Sequence, residues 1–180
     1  MDLERELDAL IAREGGYVHD PADAGGETNW GITRRTARDF GYDGEMRAMP
    51  LATAKAVYRA QYWEKPGFAR VAVLSEPVAA ELFDTGVNMG TAAAVRFLQR
   101  ALNAFSRNGR DYPLVAIDGV CGPASVSALA AYLKRRGRDG EQVMVRALNS
   151  LQGERYIALV EQRPANAAFL FGWFRTRVSL

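Results

Sequence analysis

Cysteine and histidine are nearly absent from this chain. Cys121 is the one cysteine and His19 the one histidine among 180 residues. A single cysteine forms no internal disulfide, so the fold does not rest on oxidation. One cysteine and one histidine also cannot supply the usual ligand set of a zinc site. No apolar run approaches the ~20 residues that span a bilayer, which argues against membrane insertion. The start, MDLERELDAL, is charged from its second residue and lacks the basic opening and apolar stretch of a secretory signal. The expectation is synthesis in the cytoplasm, with something else moving the protein if it works outside. A large charge excess is missing too: 23 Lys and Arg against 21 Asp and Glu give +2. That balance is too mild to point to nucleic acid, and it does not oppose approach to an anionic polymer.

What the chain does have is helical pattern. Hydrophobic residues make up 48% and charged residues 24%, a folding composition rather than a disordered one. In LERELDALIARE, Leu3, Leu7, Leu10 and Ile11 share one face at ~100° per residue. Asp2 can cap this helix, and Gly15-Gly16 ends it. Short extended pieces around Tyr17-Val18 and Thr28-Trp30 are able to pair. Thr33 caps a helix reaching Phe40, and Gly41 stops it. Residues 51–63 read as a helix with Val57, Tyr58, Tyr62 and Trp63 at its inner end. Ser75 caps a strong helix with Pro77 in its first turn, Gly90 ends it, and Thr91 is read as the cap of the next. Residues 106–119 read as a loop with room for a brief strand at LVAI, and KRRGRDG as an exposed basic loop. Helices over 123–136 and 141–161 and a helical tail anchored by Trp173 and Phe174 complete the count. The fold class expected is mainly α: about eight helices with a small hairpin or sheet. Two lobes are expected, 1–90 and 91–180.

The chemistry concentrates in REGGYVHDPADAGGETNWGIT, residues 13–33. Glu14 falls at about 20° on the helical wheel with Leu3 at zero, inside the apolar stripe. Burial disfavours a charged carboxylate, and a carboxylic acid that holds its proton near neutral pH is what general-acid catalysis requires. Asp20 precedes proline and reads as a turn former. Asp23 precedes Ala24, Gly25 and Gly26, small residues that let a bulky ligand approach the backbone. Thr28 and Asn29 can orient a water or bind a ligand hydroxyl. Tyr17 and Trp30 can shape sugar sites, whereas Trp63 and Trp173 read as core. Two carboxylates across a bond, one protonated and one ionised, are the minimum for glycoside hydrolysis; their separation, which decides retention against inversion, is not in the sequence. Acids at 20, 23 and 27 do not have calcium-loop spacing, so neither a metal nor any other cofactor is expected.

The run Glu14-Gly15-Gly16-Tyr17, Asp20-Pro21, Asp23, Gly25-Gly26, Thr28 and Gly31-Ile32-Thr33 resembles the signature of family 108 glycoside hydrolases. These are lysozyme-like N-acetylmuramidases of phages and bacteria, some labelled secretion activators. YRAQYW (58–63), FDTGVNMG (83–90) and GWFRTR (172–177) resemble further family segments. FLQRALN with IDGVCGP resembles the peptidoglycan-binding segment that completes such proteins. The resemblance covers essentially the whole chain. It implies a lysozyme-like α+β fold, cleavage of the β-1,4 bond after N-acetylmuramic acid, and Glu14 as the catalytic glutamate. Phage lysozymes, more distantly similar, place an acid nine residues after the glutamate and a threonine six further. Asp23 fits the first interval; the second lands on Asn29, next to Thr28, so either residue is a candidate to position water.

The expected partner is therefore the peptidoglycan glycan strand, met by a monomer that binds no nucleic acid. Asp84 and Asn88, four apart on one helix face, read as a structural pair. IDGVCGP is read as a second wall of the cleft. The basic runs TRRTAR (33–38) and KRRGR (134–138) read as solvated faces. Two other functions stay open on sequence grounds. A lytic transglycosylase would use one glutamate and leave 1,6-anhydro ends. A non-catalytic wall-binding or secretion-accessory protein would keep the frame without turnover. A phage endolysin and a bacterial muramidase fit equally well.

Overall fold

A computed structural model describes residues 3–19 and 26–178. It is mostly helical, with eight α-helices among the described residues. The chain divides into two compact units, Met1–Trp63 and Glu64–Leu180.

In the first unit, helix α1 (Leu3–Glu14) buries Leu7, Leu10 and Ile11 against α3 (Leu51–Arg59), which contributes Ala54, Val57 and Tyr58. Each large aliphatic side chain so buried is worth about 1.5–3 kcal/mol relative to exposure. Ion pairs from Lys55 and Arg59 to Glu4, and from Lys55 to Asp8, border this contact. Along the chain between these helices comes a three-stranded antiparallel sheet of β1 (Val18–His19), β2 (Glu27–Asn29) and β3 (Ile32–Thr33). Val18 faces Thr28, and Asn29 faces Ile32. The extended pieces expected from the sequence thus pair, and β3 adds a third strand. Thr33 caps α2 (Arg34–Asp39), its side chain accepting from the Thr36 amide. A short 3-10 helix, Met46–Ala48, precedes α3. The expected helix over 51–63 is corrected: regular α geometry ends at Arg59, and Ala60–Glu64 forms a π-helical turn.

In the second unit, α5 (Glu76–Met89) is central. It packs on α4 (Phe68–Ala72), α6 (Thr91–Phe105) and α7 (Pro123–Gln162). Its cap is Ser75, whose hydroxyl accepts from the Val78 amide at 3.2 Å. Phe68, Val78, Leu82, Leu98, Leu102, Leu129, Met144 and Leu148 fill the core. The last helix, α8 (Ala167–Arg177), packs on α7, where Trp173 stacks on Tyr156 with centroids 5.0 Å apart.

Several expectations are overturned here. Thr91 is the first helical residue of α6, and Gly90 occupies the cap with φ +89°. The LVAI segment forms no strand; Asn103 instead holds Val115 through both its backbone amide and its carbonyl, at 2.8 Å each. KRRGRDG separates two helices as expected, but by a kink rather than a loop. Two helical stretches of α7 meet there at a kink on Gly137, whose φ of +60° and ψ of −150° are non-helical and suit glycine. Basic side chains are compatible with helix, so the break narrows to the glycine. The short α4 and the 3-10 turns were not foreseen, because five or fewer residues carry too little periodicity to read.

Candidate active site

Glu14 is the last residue of α1. The turn that approaches it is the two-residue link between β2 and β3. Trp30 has φ +54° and Gly31 φ +73°, the left-handed pair required by the tight hairpin turn that matches strand twist. Gly31 is needed twice over. A methyl group there would stand 2.9 Å from Glu14 Oε2 and 2.6 Å from the Tyr58 hydroxyl. The carboxylate and the phenol therefore flank one small space that only glycine leaves open. Burial first, and the nearby Glu14 charge second, push the Tyr58 and Tyr62 hydroxyls above the ordinary phenol range. The two rings stack with centroids 5.7 Å apart.

The burial expected for Glu14 is corrected. Its side chain is exposed. The wheel position was sound, since Leu7, Leu10 and Ile11 on the same stripe are buried. But the stripe loses its cover at the helix end: Gly15 turns away with φ +81°, and neither Gly15 nor Gly16 has an atom within 4 Å of the place a side chain would start. Glu14 thus has the Gly31 turn on one side and solvent access besides.

The other expected residues fall as follows. Asp20, Asp23 and Gly25 lie outside the described residues. Gly26 has φ +68° and open space where a side chain would stand. Thr28, on β2, is half-buried. Asn29 is buried, and its amide donates to the Met46 carbonyl at 2.7 Å. Trp30 is half-buried, with its indole N–H donating to Met49 O at 3.1 Å. Both side chains tie the hairpin to the segment before α3.

Tyr17 is also half-buried, and its surroundings were not foreseen. Its hydroxyl donates to Glu27 Oε1 at 2.8 Å. Arg34 donates to Glu27 Oε2 through Nε at 2.7 Å and also through Nη2. These bonds, Tyr17's foremost and Arg34's next, hold the Glu27 carboxyl below the usual carboxylate range. The Arg47 guanidinium lies over the Tyr17 ring, 4.7 Å from its centroid. Glu27 appeared in the sequence only as an acid with the wrong spacing for calcium. Its partners sit across a sheet and in a separate turn, where no periodic signal reaches. Among the described residues no group of three or more His, Cys, Asp or Glu is placed to hold a metal ion.

An acid at a helix end, beside a glycine turn and two tyrosines and next to a small sheet, is a glycosidase-like layout. The comparison of families decides which. Residues 7–90 match the family described as Glycosyl hydrolase 108. These residues form a family 108 domain. Residues 93–178 match the family described as Predicted Peptidoglycan domain. The pair marks the chain as a glycoside hydrolase of peptidoglycan. The solved structure of Brucella abortus SagA is similar, with a TM-score of 0.62 and 24% identity over 96% of this chain and 87% of that one. At that identity the likeness supports the fold, a mostly helical lysozyme-like α+β arrangement. No curated protein matches this chain in sequence.

Away from the Glu14 region, two sequence features have structural uses. Asn88 donates to the Asp84 carbonyl at 2.7 Å, and Asp84 also pairs with Arg177 of α8. In IDGVCGP, Asp118 accepts from the Val120 amide and from Gln99 Nε2, both at 2.8 Å, while Gln99 Oε1 accepts from the Gly119 amide. These bonds hold Asp118 below the ordinary carboxylate range, the Val120 amide contributing most. No helix among the described residues is long and apolar enough to cross a membrane.

Proposed function

We propose that the chain is an N-acetylmuramidase that cleaves the β-1,4 bond between N-acetylmuramic acid and N-acetylglucosamine, with Glu14 as general acid. The observation that supports it most is the placement of the Glu14 carboxylate against Gly31, with Tyr58 on the same space. The Glu14 proton passes to the glycosidic oxygen as the bond to the anomeric carbon breaks. Water adds to that carbon and yields its proton to a carboxylate, leaving a reducing N-acetylmuramic acid end and a free 4-hydroxyl. Asp23 stabilises the positive charge at the sugar or assists the water. Thr28 positions the water, since the Asn29 amide is occupied by Met46. Asn29 contributes to the substrate site by bracing its hairpin. Tyr17, Gly25, Gly26 and Trp30 form the sugar-binding surface. Residues 1–90 make up the catalytic lobe and 91–180 a helical wall-binding lobe. The protein acts on the cell wall as a monomer.

The test compares wild type with Glu14→Gln on purified peptidoglycan. Wild type releases muropeptides with reducing ends, and Glu14→Gln loses that release by at least about 100-fold while staying folded and wall-bound. Release at the wild-type rate by the variant would refute Glu14 as the acid. Muropeptides ending in 1,6-anhydro sugars would make the enzyme a lytic transglycosylase instead.

A further inference from the structure

Two arginines reach the Tyr17–Glu27 unit, and their situations differ. Arg34 is paired with the Glu27 carboxylate through Nε and Nη2. Arg47 stacks on the Tyr17 ring, is exposed, and pairs with no carboxylate among the described residues. The group of Tyr17, Glu27, Arg34 and Arg47 thus carries one positive charge in excess. Arg47 is also firmly based. It belongs to the 3-10 helix Met46–Ala48, whose Met46 and Arg47 carbonyls accept from Asn29 Nδ2 at 2.7 and 3.5 Å. A guanidinium lying on an aromatic face holds its N–H donors in a fixed plane, the geometry suited to a carboxylate. Tyr17, its support, follows Glu14 by three residues.

We infer that Arg47, seated on Tyr17, binds a carboxylate of the substrate and so favours peptide-bearing peptidoglycan over a neutral glycan of the same sugars. The inference rests on the muramidase reading above and gives that site its specificity. Peptidoglycan differs from a plain N-acetylglucosamine polymer in the lactyl ether on alternate sugars and the peptides attached to it, which carry free carboxylates. A charge-assisted pair with one such carboxylate is worth about tenfold in affinity or more. Glu27 serves as a positioning residue, because its bond to the Tyr17 hydroxyl fixes the ring that carries Arg47.

The test uses whole purified cell walls, native and with their carboxylates converted to neutral amides by carbodiimide coupling to methylamine. Binding is read by co-sedimentation and turnover by reducing ends, for wild type, Arg47→Met and Arg47→Lys. Wild type is expected to prefer native wall by about tenfold in both readouts. Arg47→Met is expected to treat both walls alike, at the wild-type level for the neutralised one. Arg47→Lys retains part of the preference, since it keeps the charge and loses the planar fork. An undiminished preference in Arg47→Met, or none in wild type, overturns the inference. If wild type released no ends but its binding still depended on charge through Arg47, the hydrolase reading would fall and the carboxylate site would stand.

Discussion

The Tyr58 hydroxyl donates to the Trp30 carbonyl at 2.8 Å, so a helix residue holds the tip of a hairpin in a conformation that Trp30, at φ +54°, does not favour on its own. The same hydroxyl borders the space in front of Glu14. One contact therefore links the stability of the turn to the setting of the proposed acid. Tyr58→Phe removes the donor and leaves the carbonyl unmatched. The expected cost is about 1–2 kcal/mol in urea unfolding, with a fall in kcat larger than any change in KM.

Gly31→Ala and Gly26→Ala form a matched pair. Both glycines have positive φ, +73° and +68°, so each variant carries a backbone penalty of about 1–2 kcal/mol. Only the Gly31 methyl meets Tyr58 and Glu14 at under 3 Å. Gly31→Ala is expected to lower the melting temperature further than Gly26→Ala and to reduce wall hydrolysis at least about tenfold more. Equal falls in melting temperature would mean that Tyr58 and Glu14 do not confine the space beside Gly31.

Glu81 gives a pH prediction for the second unit. Burial, with a smaller push from Asp84, raises its carboxyl to about 7, although Asn149 and Thr85 hydrogen bonds oppose the rise. A folded value above the unfolded one means that the native state holds the extra proton between about 4.5 and about 7. Stability from this group is thus full below that window and is lost as pH rises through it. Glu81→Gln cannot ionise. Its stability relative to wild type, from denaturant melts, is expected to improve from pH 5 to pH 8 by about 1–3 kcal/mol.

The pair between Asp84 of α5 and Arg177 of α8 predicts coupling over a long sequence separation. Asp84 also accepts from Gln152 Nε2 at 3.3 Å. Arg177→Met is expected to destabilise by about 1–2 kcal/mol. A double-mutant cycle with Asp84→Asn should return a coupling energy of at least about 0.5 kcal/mol. A value near zero would show that this ion pair does not help to hold α8.

Much of the framework was legible because it is written in local chemistry. Ser75, Thr33 and Gly90 bound their helices through side-chain oxygens or a freed φ, effects that operate within four residues. Leu7, Leu10 and Ile11 declare a buried face by their spacing. The glycine-rich run around Glu14 carries a pattern dense enough to mark the family 108 segment. The misses have a common cause as well. Glu14 shares the wheel position of buried leucines, yet its exposure depends on what chain returns to cover a helix end. The pinning of LVAI by Asn103 likewise depends on partners outside any local window.

By itself, then, the amino-acid order determined a mostly helical chain, the limits of its stronger helices and the stretch that carries the family 108 pattern, since capping, periodicity and glycine conformation act between near neighbours. Tertiary structure alone decided that Glu14 meets solvent beside Tyr58, that Asn29 braces a turn, and that Arg34 neutralises Glu27 while Arg47 stays uncompensated by any described carboxylate. Those outcomes depend on groups brought together from separate elements, where burial and charge pairing are properties of the packed arrangement and leave no period in the chain.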